Sequence, residues 1–109
     1  MTSGTNRLRT ALDAGEVAVA LGGHVLDADV VDLLGPTGAH AVWLEAESGP
    51  LDWGDIGDLS RAAELWEMAA VVRVPDAAPW RPGRALSLGA HGVVLPQVAS
   101  VEQAEAFGR

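Results

Sequence analysis

Cysteine, lysine and tyrosine are all missing from these 109 residues, and each absence removes a class of chemistry. Without cysteine there is no disulfide, no thiolate zinc site and no cysteine nucleophile. Without lysine there is no Schiff-base lysine and no lysine for a phosphate-binding P-loop. Acid/base work then falls to carboxylates, to His24, His40 and His91, to a hydroxyl, to water on a metal, or to groups from another chain. Positive charge is also scarce. Seven basic residues stand against fifteen acidic ones, for a formal charge of -8, and the arginines form no stripe that would neutralise phosphates, so no nucleic-acid partner is expected. No apolar run approaches the roughly 20 residues of a membrane span, and the opening MTSGTNRLRT lacks the apolar core of a signal peptide. The expectation is a soluble, cytoplasmic protein without a membrane partner.

What is present is apolar and rhythmic. Hydrophobic residues make up 49% of the chain, enough for a globular core in one small domain over residues 1–109. Residues 6–14 read as a short amphipathic helix closed by Gly15 in a left-handed cap. Strand and helix then alternate. Strands are expected at residues 16–21, 41–45, 70–74 and 93–95, each short and nearly all apolar. Helices are expected at 28–34, capped by Asp27 or Asp29, then from the Asp52 loop to near Met68, around 84–88, and from Ser100 onward. Gly22-Gly23, Gly35-Pro36, Gly49-Pro50 and Pro75 punctuate the pattern. Alternating apolar strands and helices predict a parallel sheet covered by helices, with right-handed crossovers.

The segment WLEAESGPLDW, Trp43 to Trp53, carries the most chemistry. An apolar strand ends there in Glu45 and Glu47, which alternation places on one side at the strand's carboxyl end. Such a pair suits a metal, a proton transfer or a hydroxyl-rich ligand, and two solvated acids are the plainer reading. Arg73 lies in the apolar run VVRVP, where an unpaired guanidinium is costly to bury, so it points into a polar site or pairs with Glu45 or Glu47. His24 follows the first strand at the ligand-facing end, whereas His40 and His91 precede strands and read as structural. Trp43, Trp53, Trp66 and Trp80 fall on four different elements and read as packing residues. Gly22-Gly23 lacks the continuation of a phosphate loop and reads as a tight turn.

With these elements placed, three blocks resemble the amino-terminal half of the HpcH/HpaI aldolase and citrate lyase family, the class II pyruvate-dependent aldolases. They are RLRTALDAGEVAVALGG, GAHAVWLEAESGPLDWGDIGDLSRAAELWEMAAVVRV and GAHGVVLPQVASVEQAEAF. The resemblance implies four β/α units of a parallel (β/α)8 barrel, an incomplete half-barrel behind a short N-terminal helix. It implies a divalent metal (Mg2+, Mn2+ or Co2+) holding pyruvate enolate, with Arg73 matching the family's substrate-carboxylate arginine. Glu45 matches the acid that supports the catalytic base, and Glu47 and Gln97 are candidate substrate contacts. Three departures stand out. Ser48 occupies the position of the family's catalytic histidine, and a serine hydroxyl alone is no base near neutral pH. Gln97 stands where many relatives carry a histidine. The family's metal-binding Glu and Asp correspond to strands beyond Arg109.

The resemblance implies a carbon-carbon lyase that cleaves 2-oxo acid aldols to pyruvate and an aldehyde. The alternative is a truncated or degenerate, inactive relative acting as a binding or assembly module. In either case four unclosed units leave exposed sheet edges, so a homo-oligomer or a complementing half-barrel chain is the expected partner.

Overall fold

The computed structural model describes residues 6–23, 26–47 and 51–107. Helix α1 (Arg7–Asp13) is capped by Asn6, whose side chain accepts from Arg9 N–H. It ends as expected: Gly15 takes φ +72°, while Gly15 N–H and Glu16 N–H reach back to the carbonyls of Leu12 and Ala11. Strand β1 (Ala20–Leu21), α2 (Ala28–Leu34), β2 (Ala41–Glu45), α3 (Trp53–Leu65), β3 (Ala69–Arg73), α4 (Arg81–Ser87), β4 (Gly92–Val94) and α5 (Val101–Phe107) follow. The four strands form one sheet in the order β1-β2-β3-β4, parallel throughout.

Alternation divides the sheet into two faces. Val42, Leu44, Ala70 and Val72 are sealed against Val31, Ile56, Leu59, Ala63 and Met68 in the core between sheet and helices. Ala41, Trp43 and Glu45, with their register partners Ala69, Val71 and Arg73, occupy the opposite face. Burying the core side chains stabilises the fold by about 1.5–3 kcal/mol for each large one. The first turn of α3 is fixed by a reciprocal cap: Asp52 accepts from Gly54 and Asp55 N–H, and Asp55 accepts from Asp52 N–H.

Several boundaries differ from the sequence expectation. The strand expected over residues 16–21 pairs with β2 only at Ala20 and Leu21; among the described residues no strand flanks its other side, and Val17 is 86% exposed. Helix α3 stops at Leu65 rather than near Met68. Glu67 adopts φ +58° and Met68 N–H returns to the Ala63 carbonyl, a left-handed stop normally signalled by glycine. Met68 is thereby freed to enter the core fully buried. Helix α4 starts at Arg81 because Pro82 is tolerated in a first turn, whose N–H groups need no helical partner. Strands β3 and β4 each begin one residue early. Asp27, not Asp29, caps α2.

The tryptophans do not sit on four separate elements. Trp53 opens α3 and Trp66 is its C-cap. Trp66 lies against Gly35 and donates through Nε1 to Asp32. Trp53 meets Trp80, the N-cap of α4, at 5.9 Å between ring centroids, and the Arg81 guanidinium lies 4.0 Å from the Trp80 ring.

Candidate functional site

Parallel pairing brings Glu45 and Arg73 into register at the carboxyl ends of β2 and β3. The guanidinium donates through Nε to Glu45 Oε1 at 2.8 Å and through Nη2 to Glu45 Oε2, a two-point grip that matches the planar fork to the carboxylate. Glu47, two residues on, places Oε1 3.5 Å from the same Nη2, and its other oxygen accepts from Gln97 Nε2 at 3.3 Å. Four residues from three strand ends therefore converge: the Glu45, Glu47 and Arg73 side chains keep about a fifth to a third of their surface exposed, and Gln97 is exposed. Glu45, Glu47, Arg73 and Gln97 are brought together. Ser48, the Gly49-Pro50 turn and His24 lie outside the described residues.

Charge within the cluster is unequal: two carboxylates surround one guanidinium. The Arg73 hydrogen bonds hold Glu45 below its ordinary 4.5, against the opposing cost of burial, and Glu45 in turn raises Arg73. Glu45 is thus an ionised acceptor at neutral pH, and Arg73 is always charged. Gln97 adopts φ +54°, a left-handed backbone uncommon for a side-chain-bearing residue, and it turns the chain just after β4. A pocket of about 230 Å³ runs from Glu47 and Gln97 to Asp76 and Gln103 between Pro75 and Pro96. Asp76 is tied to Arg81 at 2.8 Å, and that pairing lowers its carboxyl to about 2.

His40 and His91 sit at the other end of the strands. Each accepts a strand N–H through Nδ1, from Val19 and Ala70 respectively, at 2.9 Å. His91 Nε2 also faces Glu64 at 3.1 Å. Both are ties between neighbouring strands.

A hydroxypyruvate/pyruvate aldolase from Agrobacterium fabrum is 33% identical over 104 residues, 95% of this chain and 39% of that protein. One of the same name from Roseobacter denitrificans is 26% identical over 109 residues, 100% of this chain and 43% of that protein. In structure, an HpcH/HpaI aldolase from Desulfitobacterium hafniense superposes with a TM-score of 0.84 over 92% of this chain and 39% of its own, at 24% identity. The chain is thus similar in sequence to hydroxypyruvate/pyruvate aldolases and shares its fold with an HpcH/HpaI aldolase. No family model matches it. It spans about two-fifths of the length of these relatives, as a partial barrel of four β/α units.

In this partial barrel the Glu45–Arg73 pair occupies the carboxyl end of the sheet, where β/α barrels carry their sites. The described residues do not fit a divalent ion. No three of their His, Asp and Glu side chains converge, and both oxygens of Glu45 are taken by Arg73. The stack of Trp53, Arg81 and Trp80 beside this end was not legible from spacing, since 26 intervening residues separate the rings in sequence. The one signal for it is that both residues open helices that follow the carboxyl ends of β2 and β3.

Proposed function

We propose that the chain supplies the substrate-carboxylate side of a carbon-carbon lyase that cleaves 2-oxo acid aldols to pyruvate and an aldehyde. Residues 1–109 act in this reading as one partial aldolase domain. The observation that carries it is the bidentate Glu45–Arg73 pair at the strand ends, on a chain related over 95% of its length to a hydroxypyruvate/pyruvate aldolase.

Glu45 holds the place of the substrate. An incoming carboxylate meets a cluster with one excess negative charge, so it binds Arg73 by displacing Glu45 from the fork. Released from Arg73, Glu45 loses the hydrogen bonds that depress its pKa and becomes a better proton acceptor. It then takes the proton from the aldol hydroxyl as the carbon-carbon bond breaks. The electron pair passes into pyruvate enolate, whose negative charge Arg73 offsets, and return of that proton from Glu45 to the enolate carbon gives pyruvate and restores the carboxylate. The aldehyde leaves through the polar pocket between Glu47 and Asp76. The divalent metal that the family resemblance implies would need its ligands from outside the described residues.

One observation favours the non-catalytic alternative: the fork of Arg73 is already filled. Turnover decides between the two. The purified chain, given a 4-hydroxy-2-oxo acid with added Mg2+, Mn2+ or Co2+, should release pyruvate. Arg73→Ala should abolish the release, and Ser48→His should raise it by providing an imidazole. No release with any metal, or equal rates in both variants, contradicts the lyase reading and leaves the binding module.

A further inference from the structure

A second concentration of polar groups lies at the amino end of the sheet, away from Glu45 and Arg73. A cleft of about 270 Å³ opens there, lined among others by Arg7, Thr10, Glu16, Gly38, His40 and Glu67. His40 shows what distinguishes it. His40 and His91 close equivalent Gly-Ala-His triplets and make the same tie: N–H to the carbonyl of Val19 or Ala70, and Nδ1 accepting from the N–H of that same residue. With Nδ1 an acceptor, the proton of the neutral ring sits on Nε2, so each ring carries an outer donor. For His91 that nitrogen meets Glu64 at 3.1 Å. For His40 no acceptor meets it among the described residues, and the ring borders the cleft instead.

The charged residues of the wall are uncommitted in the same way. Arg7 Nη1 donates to the carbonyls of Gly35 and Ala39 at 2.8 and 3.3 Å, which fixes the guanidinium and leaves Nε and Nη2 without a partner among the described residues. Glu16 and Glu67 form no ion pair there either, although Arg7 lines the same cleft. Glu67 takes φ +58°, and its carbonyl accepts from Arg7 N–H at 2.6 Å. Glycine adopts that backbone without strain, so a glutamate at this position adds a carboxylate to the wall against its backbone preference.

One cleft therefore offers fixed cationic and N–H donors beside two carboxylates that do not neutralise them. An anion alone meets two glutamates, and a cation alone leaves Arg7 and His40 unmatched. A ligand carrying both charges a few bonds apart satisfies both halves. We infer that this cleft binds a small α-amino acid as its zwitterion, with the carboxylate on Arg7 and His40 Nε2–H and the ammonium between Glu16 and Glu67. The volume falls below the roughly 300–1,000 Å³ of pockets for drug-sized ligands, which limits the ligand's side chain to a few atoms. None of these residues belongs to the Glu45–Arg73 cluster, so the inference stands independently of any lyase activity.

NMR of the full chain titrated with alanine tests it. The Thr10 and Gly38 amide signals should shift saturably, and the His40 Nε2 resonance should move with them while that of His91 stays still. Propionate and ethylamine each lack one of the two charges and should bind at least about tenfold more weakly, the loss of one charged contact. Glu16→Gln and Glu67→Gln, both at exposed positions, should weaken alanine binding to a similar degree. Arg7→Gln also removes the bonds to Gly35 and Ala39, so the glutamine variants at 16 and 67 carry the test, and Glu16→Gln should keep the unaltered chain's unfolding midpoint. No saturable shift with alanine, equal binding of propionate or ethylamine, or undiminished affinity in either glutamate variant would overturn the inference.

Discussion

Arg73 faces Glu45 across the β2–β3 register, and its guanidinium takes both carboxylate oxygens of that partner while Glu47 approaches the same Nη2. The pairing turns two residues 28 apart in sequence into one electrostatic unit. Glu45 should therefore titrate below 4.5 in the folded chain. Its contribution to stability is present above 4.5 and is lost as the pH falls through the lowered folded value. In Arg73→Met the attraction is gone and the Glu47 charge remains, so Glu45 should titrate at or above 4.5. Carbon-13 NMR of the side-chain carboxyl across pH measures both. An unchanged Glu45 titration would mean that the ion pair does not form in solution.

Asp76 gives a second, separable acid response. Its hydrogen bonds from Arg81 lower it from 3.8 to about 2, so the stability it contributes is complete above 3.8 and is lost between there and about 2. Asp76→Asn should flatten the acid limb of a urea-midpoint-against-pH curve in that window and leave the neutral limb unchanged in slope.

Much of this arrangement is readable from residues alone, because the signals are local. β2 needs only an apolar run ending in a carboxylate, Asp27 and Gly15 announce helix ends, and Arg73 in an apolar strand has to find a partner. What escapes depends on neighbours distant in sequence. The residue 16–21 strand has the right composition, but a strand forms only where another pairs with it. α3 ends on Glu67 in a conformation for which glycine is the usual marker. The likeness of Gly38-Ala39-His40 to Gly89-Ala90-His91 spans only three residues, and only the hydrogen bonds of the fold show that both histidines tie neighbouring strands alike.

Ser60 is 1% exposed on α3, and its hydroxyl has no partner among the described residues. A buried hydroxyl without a hydrogen bond costs about 1–3 kcal/mol. Ser60→Ala should accordingly raise stability by about 1 kcal/mol in urea unfolding, with little change in the slope of the transition. A loss of stability would show that Ser60 has a partner in solution.

Gly35 is held in place by contact rather than by backbone freedom. A Cβ there would lie 2.1 Å from Cδ2 of the Trp66 ring, so Gly35→Ala has to push the ring away and break its Nε1 bond to Asp32. The expected cost is about 1–3 kcal/mol, typical of overpacking. It should appear in the unfolding midpoint together with a shift in tryptophan fluorescence. Gly35→Ala with Trp66→Leu should recover part of the loss, and no recovery would contradict the contact.

Binding of pyruvate at Arg73 is the central claim, and NMR of the arginine side-chain Nε–H groups tests it most directly. Adding pyruvate should shift the Arg73 signal in a saturable manner and move the Glu45 carboxyl resonance in parallel, as Glu45 leaves the fork, while the Arg61 signal stays still. Saturating pyruvate that leaves Arg73 and Glu45 unmoved, or that shifts Arg61 and Arg73 alike, would contradict the account.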